Sequence, residues 1–273
     1  MTKALRHPLT DYIRRGAEMT PLCAGCGSGI VAQAILRAIH RLNLDMDDLV
    51  FVSGIGCAGW IPSPYFNADT LHTMPGRSVA VATGVKLFRP GLKVVVISGD
   101  GDLVGLGGNH LLHAARRGAG LVVVCVNNGV YELTGGQTTP GLASEIPTFG
   151  EYAPPFDACD LMRAAGATYV ARWTVYHALD LSLSVQKALL HPGFSFIEAV
   201  SYCRTHAGPR VGSRGPVEMM QLYRDRAVPV ERVRALGLTG LRGRWAVGEF
   251  VGPRTTPCEA EEEDLPEVVL NPT

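Results

Sequence analysis

Two groups of residues in this sequence have types and spacings suited to chemistry. The first is Ser98-Gly99-Asp100-Gly101-Asp102, followed about 30 residues on by Asn127-Asn128. A carboxylate and an amide are both hard oxygen ligands, and together they suit Mg2+ carrying a diphosphate. The second group is the cysteines. Cys23 and Cys26 form a C-x-x-C, while Cys57 and Cys203 are isolated. Four thiolates suit either Zn2+ or an iron–sulfur cluster, and spacing alone leaves both open. Cys125 falls inside an apolar run and reads as core packing. Cys159 and Cys258, on a helix and near the chain end, are not expected to be ligands.

These residues need elements that bring them together. Val94–Ile97 and Leu121–Val126 are short, wholly apolar runs, one ending in the acidic glycine turn and the other in the amide turn. Such runs suit parallel strands buried on both faces, and the intervening stretch suits a right-handed helical crossover. Asp100 and Asn128 then lie at carboxyl ends of strands, where open α/β sheets bind ligands. Leu49–Val52 ends in Ser53-Gly54-Ile55-Gly56-Cys57, and Ser195–Val200 ends in Ser201-Tyr202-Cys203. Two more cysteines are therefore expected at the same sheet edge. Helices are expected over about 30–42, 78–88, 158–165 and 175–190, with a further strand at 168–171. Residues 138–157 and 204–220 read as loops, 221–236 as a helix interrupted at Pro229, and 241–251 as a final strand or arm. The fold class is α/β, a mostly parallel sheet flanked by helices. Residues 1–251 are expected to form one domain, with 252–273 an acidic solvated tail.

The chain has 273 residues, 47% hydrophobic and 18% charged, and its 25 basic and 25 acidic side chains cancel. Nothing favours a nucleic-acid surface. No apolar run reaches membrane-spanning length, and the start lacks a signal-peptide core, so a cytoplasmic location is expected. In that compartment seven cysteines suggest metal or redox work rather than disulfides.

The Gly99-Asp100-Gly101 and Asn127-Asn128 pair resembles the thiamine diphosphate signature. In order along the chain come Leu22-Cys23-Ala24-Gly25-Cys26-Gly27, Ser53-Gly54-Ile55-Gly56-Cys57, Ser98-Gly99-Asp100-Gly101-Asp102, Gly108-Asn109-His110, Ala115-Arg116-Arg117 and Tyr131-Glu132-Leu133-Thr134-Gly135-Gly136-Gln137. Together they resemble the β subunit of a 2-oxoacid:ferredoxin oxidoreductase, over about residues 20–210. Gly59–Thr70 and Ala171–His177 are most similar to the 2-oxoglutarate type, with pyruvate the other familiar substrate.

The resemblance implies the diphosphate-binding half of a thiamine fold. It implies Mg2+ on Asp100, Asn128 and the Val130 carbonyl, and a [4Fe–4S] cluster on Cys23, Cys26, Cys57 and Cys203. Cofactor contacts are implied at Gly56, Gly99, Gly101, Asp102, Asn127, Thr134 and Gln137; plain turn residues are the other reading of Thr134 and Gln137. His72, Arg77 and His110 are candidate catalytic contacts. A structural histidine at 110 and a surface or capping arginine at 77 are the alternatives. The implied reaction is oxidative decarboxylation of a 2-oxoacid with coenzyme A, giving acyl-CoA, CO2 and reduced ferredoxin. An α subunit is the implied partner, supplying the glutamate that activates the cofactor. Pro75 stands where the family usually has histidine. Two other functions stay open: a non-oxidative thiamine decarboxylase subunit, and an inactive metal-stabilised scaffold.

Overall fold

A computed structural model describes residues 7–17, 21–141, 156–210, 212, 215–236, 241 and 243–251. The expected acidic tail, Cys258 and most of the expected loop at 138–157 lie outside the described residues.

The strands are β1 (Leu49–Ser53), β2 (Asp69–His72), β3 (Lys93–Gly99), β4 (Leu121–Asn127), β5 (Val130–Tyr131), β6 (Gln137–Thr138), β7 (Tyr169–Thr174), β8 (Ser195–Val200), β9 (Ala227–Pro229) and β10 (Trp245–Val251). The helices are α1 (Gly27–Arg41), α2 (Ser78–Phe88), α3 (Gly108–Arg116), α4 (Ala158–Ala164), α5 (Ala178–Leu190), α6 (Ala207–Arg210), α7 (Pro216–Asp225) and α8 (Val230–Leu236). Eight strands form one sheet in the order β2-β1-β3-β4-β8-β7-β10-β9. All its pairings are parallel except β10 against β7.

The apolar runs bury alternate side chains on opposite faces, as a two-faced sheet requires. Val95, Ile97, Val122, Val124 and Val126 join one core with α1, α5 and α7. Val94, Val96, Leu121, Val123 and Cys125 join the other with α2, α3 and α4. In α1 the buried Val31, Ala34, Ile35, Ala38 and Ile39 recur at helical spacing. His40 and Arg41 fill its last turn, where positive charge complements the helix dipole.

After β1 the chain pairs β2 on one side, then returns to place β3 on the other. The carboxyl ends of β1 and β3 thus flank a switch point, the crevice such sheets offer to ligands.

The structure departs from the sequence expectations at four places. Helix α1 begins at Gly27, which puts Cys26 at its N-cap. β2 is an added edge strand, mostly exposed and without an apolar pattern; its parallel pairing with β1 defines it. The expected loop at 204–220 carries α6 and the start of α7. The expected interrupted helix is α7, then β9, then α8. Its break comes from Arg226, which caps α7, and from Ala227–Pro229, which pair with β10 at the sheet edge, where proline is tolerated.

Candidate active site

The loops after β1, β3 and β4 enclose an open cleft of about 160 Å³. The first contributes Ile55–Ala58, the second Gly99–Asp102 and Leu106, the third Asn128 and Val130–Thr134, and Pro75 closes one side.

Asp100 is 1% exposed. The Thr139 hydroxyl and the Asn128 backbone N–H donate to its carboxylate. Burial outweighs those donors and pushes its pKa up to about 6. A carboxylate held in so dry a place is short of positive charge, which a divalent cation would supply. The Asn128 side-chain oxygen accepts from the Val130 N–H at 3.1 Å, a local turn that leaves one lone pair for a metal. Close approach is built into the glycines. A Cβ on Gly101 would lie 2.3 Å from the Tyr131 ring, and one on Gly54 would lie 2.0 Å from Asp102 Oδ2. The residues present therefore fit a metal-bound diphosphate.

Asp102 lines the cleft but is used by the protein itself. Its Oδ1 accepts from the N–H groups of Gly76 (2.8 Å) and Ile55 (3.4 Å), and its Oδ2 from the hydroxyls of Ser98 (2.8 Å) and Ser78 (3.5 Å). It braces three loops against each other. Asn127 is fully buried beneath the cleft, with Nδ2 donating to Glu198 Oε1 at 2.6 Å. Thr134 lines the cleft and donates to Gln137 Oε1 at 2.6 Å, so Gln137 acts on the site through Thr134.

The four thiols come from three places. Gly27 is pressed so closely on β8's end that a Cβ there would meet Ser201 Oγ at 2.2 Å. The Cys23–Cys26 loop thereby lies beside Ser201–Cys203. Cys26 is near enough to Cys23 and Cys203 for each to raise its pKa, and Cys57 is likewise near Cys26 and Cys203. Burial is the main cause that raises Cys26, and burial then Glu132 raise Cys57 far above an ordinary thiol. Ser28 N–H donates to the Cys26 sulfur, and His206 N–H to Cys203 Sγ at 3.4 Å. N–H donors on sulfur are a known means of tuning thiolate clusters. Among the described residues no three His, Cys, Asp or Glu side chains close to single-metal distance.

Cys57 belongs to both groups. It lines the cleft, and its Sγ donates to Glu132 Oε2 at 3.1 Å. Glu132 also lines the cleft and faces His206 Nε2 at 3.8 Å. Sequence reasoning singled out neither Glu132 nor Thr139. The signal for both was Gly135-Gly136. Positive φ at both glycines turns the β5–β6 hairpin, which folds Thr139 back onto Asp100.

His72, Arg77 and His110 do not line the cleft. His72 is exposed at the end of β2, bonded through Nδ1 to Ser53 Oγ at 2.9 Å and packed by Trp60. Arg77 is the exposed N-cap residue of α2, and His110 is half-buried in the first turn of α3.

A mostly parallel sheet with a buried carboxylate after β3 and an amide after β4 is the architecture of an α/β protein that binds its ligand at the carboxyl ends of its strands. Comparison with known proteins narrows the class. Residues 54–199 match the family described as thiamine pyrophosphate enzyme, C-terminal TPP binding domain. A 2-oxoglutarate synthase subunit KorB of Methanothermobacter marburgensis is 44% identical over 260 residues, 93% of this chain and 90% of that protein. One of Methanocaldococcus jannaschii is 41% identical, over 90% of this chain and 92% of its own length. A solved 2-oxoglutarate:ferredoxin oxidoreductase from Magnetococcus marinus, with 2-oxoglutarate, coenzyme A and succinyl-CoA bound, superposes with a TM-score of 0.79. It is 29% identical and is matched over 94% of this chain and 88% of its own. The chain belongs to the family of 2-oxoacid:ferredoxin oxidoreductase β subunits.

Proposed function

We propose that the chain is the β subunit of a thiamine diphosphate- and iron–sulfur-dependent enzyme that oxidatively decarboxylates 2-oxoglutarate with coenzyme A and passes the electrons to ferredoxin. The observation that carries this reading is the shared wall: Cys57 lines the same cleft as Asp100 and lies beside Cys26 and Cys203. The substrate choice follows relatives named for 2-oxoglutarate at up to 44% identity.

Thiamine diphosphate held here would supply an electron sink for loss of CO2, and a cluster on the four thiolates would supply a one-electron acceptor. Asp100, Asn128 and the Val130 carbonyl would hold Mg2+ and so neutralise the diphosphate. Gly99 and Gly101 line the cleft, and the absence of a side chain at 101 lets the Tyr131 ring close on the loop. Asp102 keeps the loops after β1 and β3 at fixed separation. Leu106, Leu133 and Ile55 give the cleft an apolar lining that is open to solvent in this chain alone. Cys23, Cys26, Cys57 and Cys203 would hold a [4Fe–4S] cluster. His72, Arg77 and His110 remain candidate contacts for the substrate or for an α subunit, which would complete the cofactor pocket. No helix among the described residues is long and apolar enough to cross a membrane, in keeping with work in the cytoplasm.

The test is anaerobic purification with a co-expressed α subunit, with iron and sulfide analysis and a panel of 2-oxoacids. The reading expects four irons and four sulfides per chain and the highest kcat/KM on 2-oxoglutarate. Zinc without iron would overturn the cluster, and a preference for pyruvate would overturn the substrate.

A further inference from the structure

Three charged side chains sit under the cofactor cradle. Glu198, in the middle of β8, is fully buried. Its Oε2 accepts from Arg172 Nε at 2.6 Å, and its Oε1 accepts from Asn127 Nδ2 at 2.6 Å. Arg172, on β7 and 1% exposed, also donates from its NH2 group to Asp157 Oδ1 at 2.5 Å. Asp157 in turn caps α4, accepting from Asp160 N–H at 3.0 Å.

Stability does not account for this arrangement. Charge pairs buried in an apolar core commonly contribute less than apolar side chains of the same volume. What sets it apart is where it ends. Asn127 closes β4, paired in register with Val200, and the next residue is Asn128. A carboxylate only accepts hydrogen bonds, so Glu198 fixes which way the Asn127 amide faces. The oxygen of that amide is buried and has no hydrogen-bond partner among the described residues. It lies against Gly141, where one Cβ position would be 3.0 Å from Asn127 Oδ1 and 2.4 Å from Asp100 Oδ2. The amide and the carboxylate are thus held side by side under a single glycine.

We infer that Glu198, itself held by Arg172, is a positioning residue that sets Asn127 and thereby the spacing of Asp100 and Asn128 for a metal-bound diphosphate. This rests on the cofactor reading above. The chain runs from α4 through two strands to the cradle, so the back of the sheet aligns the ligands at its edge.

The experiment uses the full chain with its α subunit and reads the Kd of thiamine diphosphate at fixed Mg2+, together with the melting temperature of the cofactor-free complex. Glu198→Gln retains the shape but offers one acceptor oxygen where Arg172 Nε, Cys159 Sγ and Asn127 Nδ2 now share two. Arg172→Met with Glu198→Leu removes the pair together and leaves the Asn127 amide and Asp157 without those partners. Both variants are expected to bind the cofactor at least about 10-fold more weakly, as supporting residues behind metal ligands do, at temperatures well below either variant's melting temperature. Wild-type affinity in both variants overturns the inference, whatever their melting temperatures. Asp100→Ala separates the two claims. If it binds normally, the cofactor reading itself falls. If it loses binding while both other variants bind as wild type, only the positioning role falls. If the paired variant does not fold, Glu198→Gln decides by the same Kd.

Discussion

Asp100 is a residue whose place in the fold works against the cofactor-free protein. Its carboxyl is raised from 3.8 to about 6, so the fold disfavours its charged form. The folded chain then holds more protons than the unfolded chain between those values, and stability falls as pH rises from about 4 to about 6. Asp100→Asn removes that penalty and retains an acceptor for Thr139 and the Asn128 N–H. It is expected to stabilise the cofactor-free chain at pH 7 by up to about 3 kcal/mol while abolishing thiamine diphosphate binding. Denaturant unfolding of both proteins across this pH range, with binding titrations, checks both halves; a destabilised variant would contradict the electrostatic account. Cys57 is the other residue with two neighbourhoods. Cys57→Ser is expected to lose the brown colour of a bound cluster while still binding thiamine diphosphate, because Asp100 and Asn128 are untouched. Absorption spectra before and after dithionite, set beside a cofactor titration, decide it.

The elements show what could be read and what could not. The Val-rich runs of β3 and β4 were legible because strands buried on both faces must be apolar throughout. Their ends placed Asp100 and Asn128 correctly at the sheet edge. Asp102 as a loop brace was not legible, since three of its four donors come from segments that only the fold assembles. The same holds for Glu198 and Arg172, whose partnership depends on the register of β7 against β8. β2 had no apolar alternation to reveal it. Gly141 was equally silent, though the structure makes it decisive: a Cβ there meets Asp100 and Asn127 together. Gly141→Ala is expected to weaken thiamine diphosphate binding by about 10-fold or more and to lower the melting temperature, because Asp100 and Asn127 must shift; calorimetric titration reads the first and a thermal scan the second. The α4 cap is sensitive to acid. Burial raises the Asp157 carboxyl, but Arg172 outweighs it and holds the carboxyl below its ordinary value. Its contribution to stability is therefore present above about pH 4 and lost as pH falls through the folded value. Asp157→Asn should flatten the acid limb of the stability curve, as urea unfolding at several pH values would show.

At the scale of the molecule, one sheet edge carries the cleft with Asp100 and Asn128, and Cys57 in the wall of that cleft is near Cys26 and Cys203. The cradle is one half of a thiamine pocket, so the chain alone is expected to bind cofactor weakly and turn over no substrate. The proposed enzyme releases electrons at one set of loops and removes them at the next. The most direct measurement is dye reduction by the anaerobically assembled complex of this chain with its α subunit. The account predicts that 2-oxoglutarate with coenzyme A reduces viologen, and that Asp100→Ala and Cys57→Ser each abolish the reduction. A complex replete in iron and thiamine diphosphate that reduces no dye with any 2-oxoacid would contradict it.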